Sequence, residues 1–257
     1  MFEWEMNLIS NTALAALIGF LAGIVASFFG IGGGVIFVPS LIIIFGFEPA
    51  SAVATSLLAI IFTSSSSVVA YTRKKLVKHR DGLLFVIASI PGALLGAYLT
   101  SILPGKIIRI VFSFFLFFTA YNIAKGKKKD YLKSYGRREG ANKKLAVIAF
   151  FIAGMASGLL GIGGGILFVP VMVILIGFDI HEAIATSAFM ILITATFGVL
   201  EHLILGHVNV LFGVLFGVFG VIGAQIGAIM SVRTQSKTLR ILFALLLVIS
   251  GLRLIMM

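Results

Sequence analysis

Gly30-Ile31-Gly32-Gly33-Gly34, with Phe37-Val38-Pro39 after it, returns later in the chain as Gly161-Ile162-Gly163-Gly164-Gly165 with Phe168-Val169-Pro170. Outward from this block, Gly23 to Arg109 aligns without a gap on Gly154 to Arg240, at a constant offset of 131. Gly46-Phe47 pairs with Gly177-Phe178, and Ala54-Thr55-Ser56 with Ala185-Thr186-Ser187. Gly82, Gly92 and Gly96 pair with Gly213, Gly223 and Gly227. Of the 87 aligned positions, 29 are identical. General hydrophobicity explains Leu opposite Ile. It does not explain glycines, prolines and Thr-Ser pairs that hold register without an insertion, so the chain is an internal duplication.

Composition identifies the solvent of the duplicated unit. The chain has 257 residues, 60% hydrophobic and 11% charged, with a mean hydropathy of +1.17. A soluble domain carries about 25% charged residues, so a water-exposed globular surface is excluded and the bilayer is the solvent. No cysteine is present, which excludes thiolate metal sites, disulfides and cysteine nucleophiles. The first residues include Glu3 and Glu5, where a cleavable signal needs positive charge, so the first apolar stretch is expected to be retained.

Each half reads as five apolar segments, roughly 12–29, 35–47, 51–71, 82–101 and 107–124, then 145–160, 166–178, 183–205, 210–231 and 239–257. A spanning helix needs about 20 apolar residues. The third and fourth segments of each half reach that length and the fifth nearly does. The first two are shorter and flank the glycines, so each such pair is expected to form a helical hairpin bent inside the bilayer, crossing twice or re-entering. The expected fold is an all-α integral membrane protein of two repeats, 1–124 and 145–257, joined by a basic linker, 125–144.

The 20 Lys+Arg against 9 Asp+Glu give a net charge of +11, which membrane proteins use as an orientation signal. Arg73, Lys74, Lys75, Lys78 and Arg80 make one basic loop, and Lys127, Lys128, Lys129, Lys133, Arg137, Arg138 and Lys143 another. The positive-inside bias puts both in the cytoplasm. The repeat counterpart of the first loop, Leu205-Gly206-His207-Val208-Asn209, has no Lys or Arg and is expected outside. Equivalent loops then face opposite sides, which predicts an inverted repeat in the cytoplasmic membrane with both termini outside.

Inverted repeats with broken helices build secondary transporters, whose substrates bind near the midplane where the halves meet. The glycine blocks are the natural breaks. Gly30, Gly32, Gly33 and Gly34, with Gly161, Gly163, Gly164 and Gly165, let backbone N–H groups converge on a ligand, and a helix that begins just after them favours an anion. Close helix packing is the other reading of these glycines, and it is the preferred one for Gly92/Gly96 and Gly223/Gly227. Pro39 and Pro170 fit a helical first turn or a kink. The repeated hydroxyls Thr55, Ser56, Thr186 and Ser187 either cap the helices that follow or donate to substrate oxygens, and Thr63 and Thr194 are the next repeated pair. The Ser64–Ser67 run reads as interhelical glue. Gln225 stands opposite Leu94 and is a candidate for an asymmetric substrate contact.

Few charges can act inside the bilayer. Glu201 and His202 are a candidate proton relay, or interfacial residues near the outer loop. Asp179, His181 and Glu182 lie in a short inner loop and resemble a metal cluster only loosely. The glycine block is not a P-loop, because no Lys-Ser/Thr follows it, nor a dinucleotide fingerprint. No cofactor, catalytic residue, metal site or nucleic-acid partner is therefore expected. The expected partners are a small anion and membrane lipid, with a homo-oligomer left open. Without a nucleotide motif, the drive is a proton or membrane gradient. A passive anion channel and a membrane-embedded metal-dependent enzyme using His181/Glu182 or Glu201/His202 are the alternatives.

The stretches Gly23–Pro39 and Gly154–Pro170, one in each duplicated half, resemble the sulfite exporter TauE/SafE family, and the similarity covers nearly the whole chain. The resemblance implies transport of sulfur-containing anions, such as sulfite or organosulfonates, or related organic anions across the cytoplasmic membrane. Family descriptions count about eight spans, against five segments per half here, and the short hairpins are where the two counts part.

Overall fold

A computed structural model describes residues 2–125, 143–233 and 237–256. Most of the basic linker, 126–142, lies outside the described residues, as do the side chains of Lys143, Arg233, Lys237 and Arg240. Among the described residues every regular element is a helix. The first half holds α1 (Phe2–Phe29), α2 (Gly34–Ile43), α3 (Pro49–Arg73), α4 (His79–Ile102) and α5 (Gly105–Lys125). The second holds α6 (Lys143–Leu160), α7 (Gly165–Val171), α8 (Ile180–Ile204), α9 (Val210–Arg233) and α10 (Lys237–Met256), with a π-helical turn, Met172–Ile176, after α7.

Local chemistry sets the boundaries. α3 begins with Pro49 behind Glu48, since proline is tolerated in the first turn, where its missing N–H would be unsatisfied anyway. α8 begins behind Asp179, whose Oδ1 accepts from the His181 N–H at 2.8 Å. Asp179 is therefore a helix cap, and His181 and Glu182 lie in the first turn of α8 rather than in a loop. Pro39 and Pro170 sit inside α2 and α7, not in their first turns, and the π-turn follows Pro170 within two residues. Each proline removes a ladder donor there, and widening the ladder is one way a helix absorbs that loss.

Among the described residues, five helical stretches are long and apolar enough to cross a bilayer: Asn11–Phe29, Pro49–Arg73, His79–Ile102, Ile180–Ile204 and Val210–Ser231. The first of these begins one residue before the expected apolar segment 12–29, and the helix α1 continues back to Phe2. α2 has 10 residues and rises only about 15 Å at 1.5 Å per residue, half of a hydrocarbon core of about 30 Å. Many large apolar side chains are exposed, among them Phe114, Leu84 and Ile204, as on a surface whose solvent is lipid.

The main contacts between the halves recur with the halves exchanged. α1 lies along α9 and α4 along α6, while α3 meets α8 and α5 meets α10. Glycines carry the close approaches. A Cβ on Gly92 would lie 2.1 Å from the Phe151 carbonyl oxygen, and one on Gly223 2.0 Å from that of Phe20. Gly96 and Gly227 meet Met155 and Ile24 in the same way, so these four are packing glycines. The start of α3 lies by the end of α8, since the Asn209 N–H donates to Thr55 Oγ1 at 3.0 Å. The end of α3 lies by the start of α8, where the Lys78 N–H donates to Thr186 Oγ1 at 3.0 Å. The two central helices are therefore antiparallel. The exchange is imperfect where volumes differ: Phe37 stacks on Phe216 at 5.3 Å, but Phe150 inserts at the mirrored place, stacked on Phe85 at 4.7 Å. Its repeat counterpart is Gly19.

Candidate substrate site

The site begins with two backbone turns. Gly30, Gly32 and Gly33 have φ of 68°, 84° and 93°, and Gly161, Gly163 and Gly164 have 64°, 77° and 77°, a left-handed run that side chains resist. Gly33 and Gly164 then serve as N-caps of α2 and α7 with no side-chain cap. Ile36 and Phe37 both donate to the Gly33 carbonyl, and Leu167 and Phe168 to that of Gly164. The N–H groups just ahead of them have no acceptor within their own helices.

The two turns meet backbone to backbone in the buried centre. A Cβ on Gly34 would lie 2.0 Å from the Gly161 carbonyl oxygen, and one on Gly165 2.1 Å from that of Gly30. Ile60 and Ile191, equivalent residues of α3 and α8, cover the junction: Cβ positions at Gly32 and Gly163 lie 3.2 and 2.8 Å from Ile191 Cγ2. Two helix N-termini, each the positive end of its dipole, thus abut in the protein interior. Among the described residues, the buried polar side chains are serines, threonines and one histidine. No carboxylate is among them, so the electrostatics of the centre come from oriented backbone.

Hydroxyls brace the turns across the halves. Ser56 donates to the Gly161 carbonyl at 2.7 Å and Ser187 to that of Gly30 at 2.6 Å. Thr55 and Thr186 accept from Asn209 and Lys78. All four lie in the second turns of α3 and α8, so none is an N-cap, and the Ser56 and Ser187 protons go to the glycine block itself. Thr63 donates to the Ile60 carbonyl at 3.1 Å and to that of Gly32 at 3.3 Å; Thr194 donates to the Met190 carbonyl at 3.0 Å. Gln225 Nε2 donates to the carbonyl and hydroxyl oxygens of Ser66, and Ser66 donates to the Val221 carbonyl. The asymmetric amide therefore ties α9 to α3. Ser67 meets Ser27 through their hydroxyls, so the serine run does join helices.

Glu201 and His202 are adjacent on α8 and so point about 100° apart. His202 is fully buried and Glu201 half-buried. The His202 ring lies 5.9 Å from that of His207. Both His202 nitrogens and His207 Nδ1 are buried without a hydrogen-bond partner. Ser157 Oγ is buried in the same state, at the end of α6, where the Ser157 carbonyl accepts from the Gly161 N–H at 2.9 Å. Each such atom costs about 1–3 kcal/mol of desolvation. The sequence carried a signal for Ser157, a hydroxyl opposite Ala26 whose methyl lies 3.3 Å from a Cβ placed on Gly33, beside the block. The ion pair between Lys78 and Glu182, at 2.7 Å and partly exposed, lies away from the centre. Among the described residues no group of three or more His, Asp or Glu is placed to hold a metal.

A helical protein with apolar spans, a lipid-like exterior and uncapped helix ends buried at its centre belongs to the multi-pass membrane proteins. The chain belongs to the sulfite exporter TauE/SafE family, which matches residues 15–254, and is a membrane transporter of that family. It is 32% identical to the probable membrane transporter protein YunE of Bacillus subtilis, over 94% of this chain and 96% of that one. It is 26% identical to the probable membrane transporter protein MJ0441 of Methanocaldococcus jannaschii, over 96% and 97%. A probable membrane transporter protein of Sinorhizobium, ORF9, is 28% identical over 92% and 89%. No solved structure matches the chain.

Proposed function

We propose that this protein is a secondary transporter that exports small sulfur-containing or organic anions, such as sulfite or organosulfonates, across the cytoplasmic membrane by alternating access. One observation carries the reading: the uncapped N-termini of α2 and α7 abut at a buried centre without a carboxylate. Such ends attract anions, whereas cation sites recruit carboxylates. The ligand would take N–H donors from Gly32–Gly34 and Gly163–Gly165, with Thr55, Ser56, Thr186 and Ser187 holding the turns and Gln225 and Ser157 adding asymmetry. The antiparallel run of α3 and α8 supports opposite orientations for the halves, with the basic 73–80 loop and the 125–144 linker inside and both termini outside.

Proteoliposomes loaded with sulfite, organosulfonates and simple carboxylates test the function. Saturable flux of at least one is expected, and no flux of any from folded protein would overturn the reading. Because the chain has no cysteine, single cysteines introduced in the 73–80 and 204–211 loops test the topology. They should label from opposite sides of the membrane, and same-side labelling rules the inversion out.

A further inference from the structure

We propose that His202 and His207 form a buried proton-carrying site, loaded from the turn between α8 and α9, that couples proton movement to anion movement in the transporter proposed above. The coupling role rests on that reading; the site itself rests on geometry. His202 is fully buried, its ring beside the Gly158 backbone and 5.9 Å from the ring of His207. Three of the four ring nitrogens of the pair are buried and reach no partner at full hydrogen-bond geometry, the Gly158 backbone being in looser polar contact with His202. His207 is half-buried in the turn, so one of the two rings reaches the surface and the other does not.

The repeat supplies the control. Tyr71 and Leu76 stand at the positions equivalent to His202 and His207. The backbone there is the same, because the Leu76 N–H donates to the Tyr71 carbonyl at 3.2 Å and the His207 N–H to the His202 carbonyl at 3.0 Å. Tyr71 satisfies its hydroxyl on the Ser27 carbonyl at 2.6 Å. The fold thus has a tyrosine solution at this place. The second half instead carries two imidazoles, with Gly158 and Gly198 where the first half has Ser27 and Ser67. Unmatched buried polar atoms are rare enough to require a reason, and a proton-carrying role supplies one.

The location suits coupling. Gly158 precedes Gly161 by three residues, about 4.5 Å of helix rise, and unpartnered Ser157 is its chain neighbour. The titratable groups near His202 are His207, whose charge acts on it, and Glu201 on the adjoining face of α8. Around Gly158, α4 offers the uncharged Thr100, which donates to the Leu159 carbonyl at 3.0 Å. α3 offers Leu57, 3.0 Å from a Cβ placed on Gly198. His207 takes a proton from water on its unprotonated ring nitrogen and passes it to His202, only N–H bonds forming and breaking. The pair holds one added proton, because two imidazolium rings this close repel. That single positive charge offsets one anion at the glycine turns, so proton and anion travel together, outward when the anion is the more concentrated inside and inward when acid outside dominates.

Two measurements test this. The chain has four histidines, His79, His181, His202 and His207, so imidazole nitrogen NMR in lipid nanodiscs resolves each. His202 and His207 should protonate as a coupled pair, with His207→Gln moving the His202 midpoint by about one pH unit. In proteoliposomes the probe is isethionate, a sulfonate that stays anionic throughout, so a pH effect cannot come from the probe. A gradient of one pH unit, acidic on the side of the α8–α9 turn, should raise wild-type uptake by up to about tenfold for one coupled proton. His202→Tyr, which copies the first half, and His207→Gln should each take up isethionate equally with and without the gradient. A His202 that stays neutral from about pH 5 to 8, or a gradient response retained in both variants, overturns the proposal. Wild-type protein that moves no anion while the coupled titration persists overturns the transporter reading and leaves the proton site standing.

Discussion

The turn between α3 and α4 and the turn between α8 and α9 share a backbone and differ in nearly every polar side chain. Lys75 takes a left-handed φ of 58° where Gly206 takes 72°. In each, the main-chain N–H of Lys78 or Asn209 donates to a threonine of the opposite half. Beyond that framework the two diverge. Lys74 Nζ donates to the Ala228 carbonyl at 2.9 Å and Lys78 pairs with Glu182, whereas the mirrored positions are Leu205 and Asn209. The duplicated fold needs the backbone and the threonine hydroxyls. It leaves the other side chains free, so one turn became basic and the other gained a histidine.

That comparison predicts symmetric consequences wherever the two halves share a contact. The largest effect is expected at the crossing of the glycine turns. Gly34→Ala and Gly165→Ala each drive a Cβ into backbone on the other half, at 2.0 and 2.1 Å, where no side chain can move aside. Overpacking of this kind costs about 1–3 kcal/mol or more, and both variants should lose the monodisperse peak in size-exclusion chromatography. If one variant tolerates the methyl, the two turns do not share one packing.

A smaller and equal effect is expected from Ser56→Ala and Ser187→Ala. Each leaves a buried glycine carbonyl without its donor, at a cost of about 1–3 kcal/mol, read as a fall in the detergent-solubilised melting temperature. A large fall in only one would mean that the halves share geometry but not energetics. The smallest effect belongs to the asymmetric contact. Lys78→Asn, which copies the second half, removes an ion pair whose partners are 42% and 30% exposed; such a pair is worth about 0–1 kcal/mol. The melting difference from wild type should vanish in high salt. A salt-independent loss would show that the Lys78 main-chain contact to Thr186 was disturbed instead.

Much of this architecture was legible before any coordinates. The segments 51–71 and 183–205 read from the sequence became α3 and α8, offset by at most three residues at each end, because apolar length in lipid leaves the backbone no alternative to a helix. The packing glycines were legible for a related reason: small residues four apart admit a neighbouring backbone whatever the partner. The hydroxyls were read less well. Thr55 and Ser56 were open to a capping role, yet Pro49 starts α3 six residues before Thr55 and carries them into its second turn. The first apolar segment, read as 12–29, matches the apolar part of α1, Asn11–Phe29, and the polar start of that helix lies before it.

Sequence alone determined the duplication, the membrane solvent, the places where helices break and the scarcity of interior charge. Those are properties of composition and of spacing along one segment, and each half states them twice. Tertiary structure decided which surfaces meet: that Gly34 abuts Gly161, that Ser56 reaches across to the other half, and that His202 faces His207 rather than Glu201. Consecutive helical residues point about 100° apart, so adjacency in the chain says little about contact. The Ser56–Gly161 bond joins residues 105 apart, a separation that only the packing of the two halves can close.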